Sequence, residues 1–410
     1  MNQLILTLNA GTSSVKFAGF AREAAGLKAL ASGQIEGLNA VATFQAETAT
    51  GEKSRYALDE SHGRVDHRVA LQAIVKWATE TRLDHGVAAV GHRIVHGGPD
   101  FSEPIRIDDA VLKKLRQFIP LAPLHQPHNL AGVEAALEVF PKAAQVACFD
   151  TAFHRSHPFV ADTFALPRSY YEEGVRRYGF HGLSYEFIAR RLRTVAPAAA
   201  AGRVIVAHLG NGASMCAMRA GRSVASTMTF TPIDGLPMGT RCGQIDPGVI
   251  FYLIAEKGMS VSAVSDLLQK ESGLKGMSGL SHDMRILEAS DSPAARDAID
   301  YFVARIRCEI GALAATLDGV DAIVFTGGIG EHSSRVREAA MSGMEWIGVR
   351  LDRQANRNHA EVISAAGSPT AVFVLRTDEE RMIAEHTLKT AGLAGLDARA
   401  PAAVSGVSAR

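Results

Sequence analysis

Cysteine is scarce in this 410-residue chain: four residues, Cys148, Cys216, Cys242 and Cys308, stand far apart and never at CxxC spacing. That spacing excludes a CxxC redox or zinc site and fits buried or idle thiols in a reducing cytosol. An excess of either charge is also missing, since 43 Lys and Arg balance 43 Asp and Glu. No global field therefore draws in nucleic acid or an anionic membrane, and any basic residue that matters acts locally. Long apolar runs are absent: the first, Leu4 to Leu8, has no basic region before it, and a membrane span needs ~20 residues. A cytoplasmic protein is expected. HExxH and GxxxxGK[ST] do not occur, which disfavours a zinc site and a Walker-type NTPase.

What remains is an ordinary globular balance, 47% hydrophobic and 21% charged, in a chain long enough for two apolar cores. Short strands with turns fill the first sixty residues or so, with strands expected at Leu4 to Leu8, Val15 to Phe20, through Ile35, Val41 to Phe44 and Tyr56 to Leu58. Leu71, Ile74, Val75 and Ala78 then mark one helical face. A strand follows at Val87 to Val90, a helix near Leu130 to Val139 and a strand at Gln145 to Phe149.

The second half repeats the plan. Strands are expected at Arg203 to His208, Ala213 to Met218 and Ala322 to Thr326, and a long helix carries Ile299, Phe302, Val303, Ile306, Ile310, Leu313 and Leu317 on one face, capped by Gly319. A Gly-rich turn, Gly327-Gly328-Ile329-Gly330, should precede a helix near Ser333. "LILTLNAGTSSVKFAGF" and "VIVAHLGNGASMCAMRAG" form a weak internal repeat, so two duplicated α/β halves facing each other across a cleft are expected.

The unusual residues follow strand ends: Asn9, Arg93, Asp150, Asn211 and Gly327 each come after an expected strand. In open α/β sheets ligands bind beyond the carboxyl ends of strands. Gly210-Asn211-Gly212 and the turn at Gly327 let backbone amides approach phosphate, although taken singly such turns are more often ordinary turn chemistry. Arg93, His125 and His128 sit in loops dense with Gly and Pro. With "RYGFHGLSYE" and "PMGTRCGQIDP" these loops read as an anion-handling cluster.

In order and spacing, "LNAGTSSVKF", "GHRIVHGG", "APLHQPHN", "CFDTAFH", "RRYGFHGLSYE", "HLGNGAS", "TPIDGLPMGTRCGQIDPG", "FTGGIGEH" and "TDEE" resemble the acetate kinases. The resemblance implies an α/β fold of two duplicated domains of the actin-like ATPase (ribonuclease H-like) type with an interdomain nucleotide cleft. It implies an N-terminal domain over 1–150, completed by a C-terminal helix at about 378–391, a nucleotide-binding domain over 151–377, and a loose tail over 392–410. The implied reaction is reversible, in-line transfer of the ATP γ-phosphoryl to acetate, giving acetyl phosphate and ADP, with Mg2+ or alternatively Mn2+, in a homodimer.

By the same resemblance Asn9 and Glu379 are metal-associated, and Ser14 and Lys16 lie on the first phosphate hairpin. Arg93 holds the substrate carboxylate, with Val95, Leu124, Phe180 and Pro232 around the methyl. His181 and Arg241 stabilise the transferring phosphoryl, His125 assists, and Asp150 is a catalytic acidic residue, expected to orient a partner such as Arg241. Nucleotide segments fall at His208, Leu209, Gly210, Asn211 and Gly212, at Asp283, Met284 and Arg285, and at Gly328, Ile329, Gly330, Glu331 and His332. Two positions depart from the family pattern: His332 and Asp378 replace common asparagines, and Asp378 is expected to cap the following helix. A propionate or butyrate kinase, and an ATPase switch related to actin, stand as alternatives.

Overall fold

β1 (Leu4–Ala10) and β2 (Ser14–Glu23) form the first hairpin, and β3 (Gly26–Glu36), β4 (Thr43–Thr48) and β5 (Lys53–Ala57) extend it as an antiparallel meander. β6 (Val87–Ile94) joins β1 in parallel on its other side; β7 (Ile105–Arg106) and β8 (Ala144–Phe149) follow, giving the order β5-β4-β3-β2-β1-β6-β8-β7. These come from a computed structural model that describes residues 4–11, 14–23, 26–38, 41–58, 65–81 and 86–393. Thr12 and Ser13 of the first hairpin and 394–410 of the expected tail lie outside the described residues.

A second sheet holds β9 (Arg203–Leu209), β10 (Ala213–Arg219), β11 (Arg222–Ser226), β12 (Ala322–Thr326) and β13 (Ala371–Val374), ordered β11-β10-β9-β12-β13. Without its edge strands the first sheet reads β3-β2-β1-β6-β8. Both series run two antiparallel pairings and then two parallel ones, so the sequence repeat is a repeat of topology.

Helices cover both faces of each sheet, which explains why β1, β8 and β9 are buried almost throughout. Helix His67–Glu80 packs Leu71, Ile74 and Trp77 against Phe17 and Phe44 on one face of the first sheet. The C-terminal helix Glu379–Thr390 lies on the other, with Ala384 against Ile5, Ala18 and Phe20, and Ile383 against Val146 and Cys148. Helix Pro293–Thr316 carries the expected face from Ile299 to Leu313 onto Ile205, Ile323 and Phe325. Opposite it, helix Gly182–Val195 buries Tyr185, Ile188 and Leu192 against Val204, Val206 and Val324. Each large side chain so buried contributes about 1.5–3 kcal/mol.

Two local expectations meet different fates. Asp378 is the N-cap of the C-terminal helix, its carboxylate accepting from the Arg381 N–H at 2.9 Å, so the cap reading holds. The Gly-rich stretch after β12 is itself helical, Gly327–His332 with Thr326 as N-cap, and the next helix starts at Ser334. Glu331 explains the earlier start: its carboxylate accepts from the Gly327 N–H at 3.0 Å and ties down a turn that glycine alone would leave loose.

Candidate active site

Three neighbouring parallel strands, β1, β6 and β8, end side by side, which brings Asn9, Arg93 and Asp150 together. Asn9 and Arg93 lie inside their strands rather than after them, because β1 and β6 run on to Ala10 and Ile94. Lys16 faces Asn9 across the hairpin. From the second sheet, the end of β9 and its turn bring His208, Gly210, Asn211 and Gly212 to the same place, and loops add His125, Phe180, His181, Pro232 and Arg241. With Val95, Thr377, Glu379 and Glu380 these groups enclose a cavity of about 450 Å³.

Arg93 and Asp150 meet side-on: Nε donates to Oδ1 at 2.9 Å and Nη2 to Oδ2 at 2.6 Å. The partner expected for Asp150 was Arg241, and the structure corrects this. Arg93 sits one strand away in the same sheet, whereas Arg241 comes from a loop of the other half. Side-on pairing leaves the Nη1/Nη2 end of Arg93 for a second planar anion; there, among the described residues, Nη1 meets only Asn9 Oδ1, at 3.4 Å. Burial opposes the Arg93 charge, yet Asp150 and Glu379 outweigh it and lift its pKa above the ordinary arginine value.

Arg241 is the contrasting cation. Its Nη1 donates to the Pro232 carbonyl at 2.8 Å and its Nη2 lies 3.5 Å from His125 Nε2, with no carboxylate partner among the described residues. Burial, helped by repulsion from Arg93, lowers its pKa to about 10, so an anion placed here is stabilised strongly. The imidazoles around it are neutral. Burial and the cations Arg241 and Arg93 push His125 down to about 3, burial and Arg93 push His208 to about 4, and His181 is held well below 6.5 by burial, His208 and Arg93.

Hydroxyls that the sequence reading missed aim two of these rings. Ser214 Oγ lies 2.8 Å from His181 Nδ1 and 2.5 Å from Tyr185 Oη, and Ser184 Oγ lies 2.8 Å from His208 Nδ1. All three residues stand within the quoted motifs, but a hydroxyl beside a turn has no signature that separates it from an ordinary cap. The rings stack with centroids 4.4 Å apart. A Cβ at Gly212 would sit 3.2 Å from His181 Nε2 and 3.9 Å from Arg241 Nη1, so the glycine keeps open the point on which the two groups converge.

Glu379 and Glu380 add carboxylates to the wall, Glu379 3.9 Å from Arg93 Nε. Burial raises the pKa of Glu379, with Arg93 opposing and Asp150 adding to the shift; burial and Glu379 raise Glu380. Such a pair is short of cation. No group of three or more His, Cys, Asp or Glu gathers with metal-holding geometry among the described residues. A carboxylate and an amide oxygen, Glu379 and Asn9, thus fit a hard cation that takes its other ligands from water and phosphate, and not one needing a closed cage.

Val95, Phe180 and Pro232 form the apolar part of the wall. Leu124, half-buried just before His125, lies outside it, as does Ser14 at the start of β2. Leu209 is buried in the strand below. Asp283 caps the helix Met284–Glu288 and holds the Arg285 guanidinium, Met284 is buried, and Asp283 and Arg285 line a separate open depression of about 720 Å³. Gly328 lies against the Gly210 turn and Gly330 against β9, while His332 is exposed. Ser333 donates to Glu288 at 2.5 Å, joining that helix to the segment after β12. Glu331 spends its carboxylate on protein amides, including that of Thr377 at 3.3 Å, two residues before Glu379.

The acetokinase family model matches residues 4–385. The acetate kinase of Methylocella silvestris is 59% identical over 401 residues, covering 95% of this chain and 98% of its own; that of Nitrobacter hamburgensis is 52% identical, covering 94% and 95%. Among solved structures, Porphyromonas gingivalis acetate kinase superposes with a TM-score of 0.86 at 37% identity, covering 95% of this chain and 99% of its own. A propionate kinase from Francisella tularensis gives 0.88 at 34%, covering 94% and 99%. A family match spanning nearly all described residues, on a duplicated fold whose strand ends enclose paired arginines, neutral imidazoles and buried carboxylates, has one meaning: the chain belongs to the acetokinase family.

Proposed function

We propose that the chain catalyses Mg2+-dependent, reversible, in-line transfer of the ATP γ-phosphoryl to acetate. The observation that carries this reading is the convergence on one cavity of Arg93 from β6, His181 and Arg241 from loops, and Glu379 from the start of the C-terminal helix. An oxygen of the acetate carboxylate attacks the γ-phosphorus as the bond to the β-bridging oxygen breaks, and ADP leaves. No proton moves, because the carboxylate is already ionised near neutral pH. Positioning and charge neutralisation therefore provide the rate.

Arg93, held side-on by Asp150, offers its remaining edge to the acetate carboxylate. Val95, Phe180 and Pro232 surround the methyl. Arg241, which has no carboxylate partner among the described residues, and the Nε2 side of His181 receive the equatorial phosphoryl oxygens at the opening kept by Gly212. His125 stays neutral beside Arg241 and leaves its charge for the phosphoryl group. Asn9 and Glu379 would hold the divalent ion, which when bound neutralises charge on the nucleotide phosphates. The nucleotide enters along Lys16, the β9 turn, the segment Asp283–Arg285 and the helix after β12. Two lobes, 1–150 completed by 378–391 and 151–377, a homodimeric state and a cytoplasmic location belong to the same reading; no described helix is long and apolar enough to cross a membrane.

Trapping the acyl phosphate as a hydroxamate, with ATP, Mg2+ and a carboxylic acid, tests the proposal. Acetate and propionate should give product and butyrate little; no hydroxamate from any of the three refutes it. The likeness to a propionate kinase keeps propionate as the second substrate to compare.

A further inference from the structure

His154 ends the short turn after Asp150, is fully buried, and does not itself line the cavity. Its Nε2 lies 2.9 Å from the Phe180 carbonyl oxygen and its Nδ1 2.8 Å from Ser223 Oγ. A carbonyl can only accept, so Nε2 carries the hydrogen. Burial, with His157 and Arg155 nearby, keeps the ring neutral; Nδ1 is then a lone pair, and Ser223 donates its one hydrogen there. Ser223 Oγ in turn accepts from His157 Nε2 at 2.7 Å, and the Cys216 thiol, which also reaches the Ala217 carbonyl at 3.5 Å, lies 3.2 Å away. This leaves His157 Nδ1 as a buried lone pair with no partner among the described residues. The two imidazoles and the Ser223 hydroxyl thus have one consistent proton arrangement.

The relay ends on the peptide that carries a conformationally costly residue. His181 has φ 56° and ψ 24°, a left-handed backbone that side chains with a Cβ avoid. The segment after β8 grips it from both sides: the Asp150 carbonyl accepts from the Gly182 N–H at 2.9 Å, and His154 donates to the Phe180 carbonyl. Gly179 has φ +76°, and a Cβ there would come within 2.6 Å of the His154 ring, so the imidazole is packed onto the backbone leading into the loop.

We propose that His154 is a positioning residue for phosphoryl transfer, its Nε2–H fixing the Phe180–His181 peptide so that Phe180 walls the acyl pocket and His181 faces the phosphoryl group. The proposal rests on the carboxylate-kinase reading of the site, but its first test does not depend on turnover, so the two can fail separately.

In wild-type protein labelled with ¹⁵N-histidine, the ring signal that disappears in His154→Gln should show hydrogen on Nε2 and no titration between about pH 8 and about pH 5.5. Hydrogen on Nδ1, or titration in that range, overturns the assignment. Kinetically, His154→Leu should lower kcat/KM for acetate by about 10- to 100-fold, mainly through kcat. His154→Gln, whose side-chain amide can place an N–H where Nε2–H stood, should recover most of that loss. A Gln variant as slow as a folded Leu variant, or a Leu variant with wild-type kcat, refutes the role. If the Leu variant does not fold, Ser223→Ala substitutes for it: the Nδ1 donor that holds the ring in place is lost, the Phe180 carbonyl still keeps the hydrogen on Nε2, and kcat should fall. A wild-type rate in Ser223→Ala would equally refute the role.

Discussion

The guanidinium of Arg93 and the carboxylate of Asp150 form a two-point pair, 2.9 and 2.6 Å, between the ends of adjacent strands β6 and β8. Asp150 is buried and Arg93 is one-fifth exposed, so the pair is rigid and one edge of the arginine remains open to the cavity. In Asp150→Asn the charge partner is lost and Arg93 is left to Glu379, 3.9 Å away. We expect kcat/KM for acetate to fall by about 100- to 1,000-fold, the loss typical of a misplaced transition-state donor, and the protein to lose about 3 kcal/mol of stability, the lower end for breaking a buried pair. Steady-state kinetics and urea unfolding measure the two effects.

Arg241 is a buried cation without a carboxylate neighbour among the described residues. Arg241→Ala should reduce kcat by about 100- to 1,000-fold with a smaller change in acetate KM, because the lost contact is made mainly to the transferring group. Equal losses in binding and turnover would place Arg241 on the ground state instead.

Stability should decline on acidification before the carboxylates titrate. Burial holds His92 and His208 near 4 and His96 and His125 near 3, below the unfolded value of about 6.5. Below that pH the unfolded chain takes up protons that the folded chain refuses, so stability present above about pH 6.5 is lost as pH falls toward 4, by about 1.4 kcal/mol per pH unit for each such residue. Glu379 and Glu380, raised by burial, act with the opposite sign, losing stability as pH rises through their folded values. Urea midpoints across pH 4 to 7 (an interval of about three units) should fall toward acid; a flat profile contradicts the buried neutral imidazoles.

Removing the Glu379 carboxylate should weaken the divalent ion more than the nucleotide. Glu379→Gln is expected to raise the Mg2+ concentration for half-maximal rate by at least about tenfold, since even a residue that only supports a metal ligand costs that much. Relief of carboxylate crowding beside Asp150 and Glu380 should leave thermal stability of the metal-free protein unchanged or higher.

Val95 and Phe180 set the size of the apolar wall. Val95→Ala opens room for one more methylene, a difference of about 1–3 kcal/mol. The propionate-to-acetate ratio of kcat/KM should therefore rise by about tenfold or more, and an unchanged ratio would move the acyl group elsewhere in the cavity.

Much of this protein is written locally. The continuous apolar run Leu4 to Leu8 yields a strand buried on both faces, and the helical periodicities at Leu71 to Ala78 and Ile299 to Leu313 yield helices that each bury one face. The residues bearing the chemistry stood out because polar groups at strand ends have no packing reason to be there. Local reading stumbled where a distant contact intervened. Glu331 turned an expected glycine turn into a helix by capping it; β1 ran past its apolar run because its hairpin partner β2 pairs Asn9 and Ala10, and β6 because its parallel neighbour β8 pairs out to Ile94.

By itself the sequence determined the elements, the repeat and which side chains were too polar for a core, since these depend on neighbours within a few residues. The tertiary structure alone decided who pairs with whom: Asp150 with Arg93 and not Arg241, Ser214 and Tyr185 behind His181, Glu331 with Thr377. Those contacts join residues many positions apart, and a chain's periodicity carries no record of where parallel strands will set their ends in space.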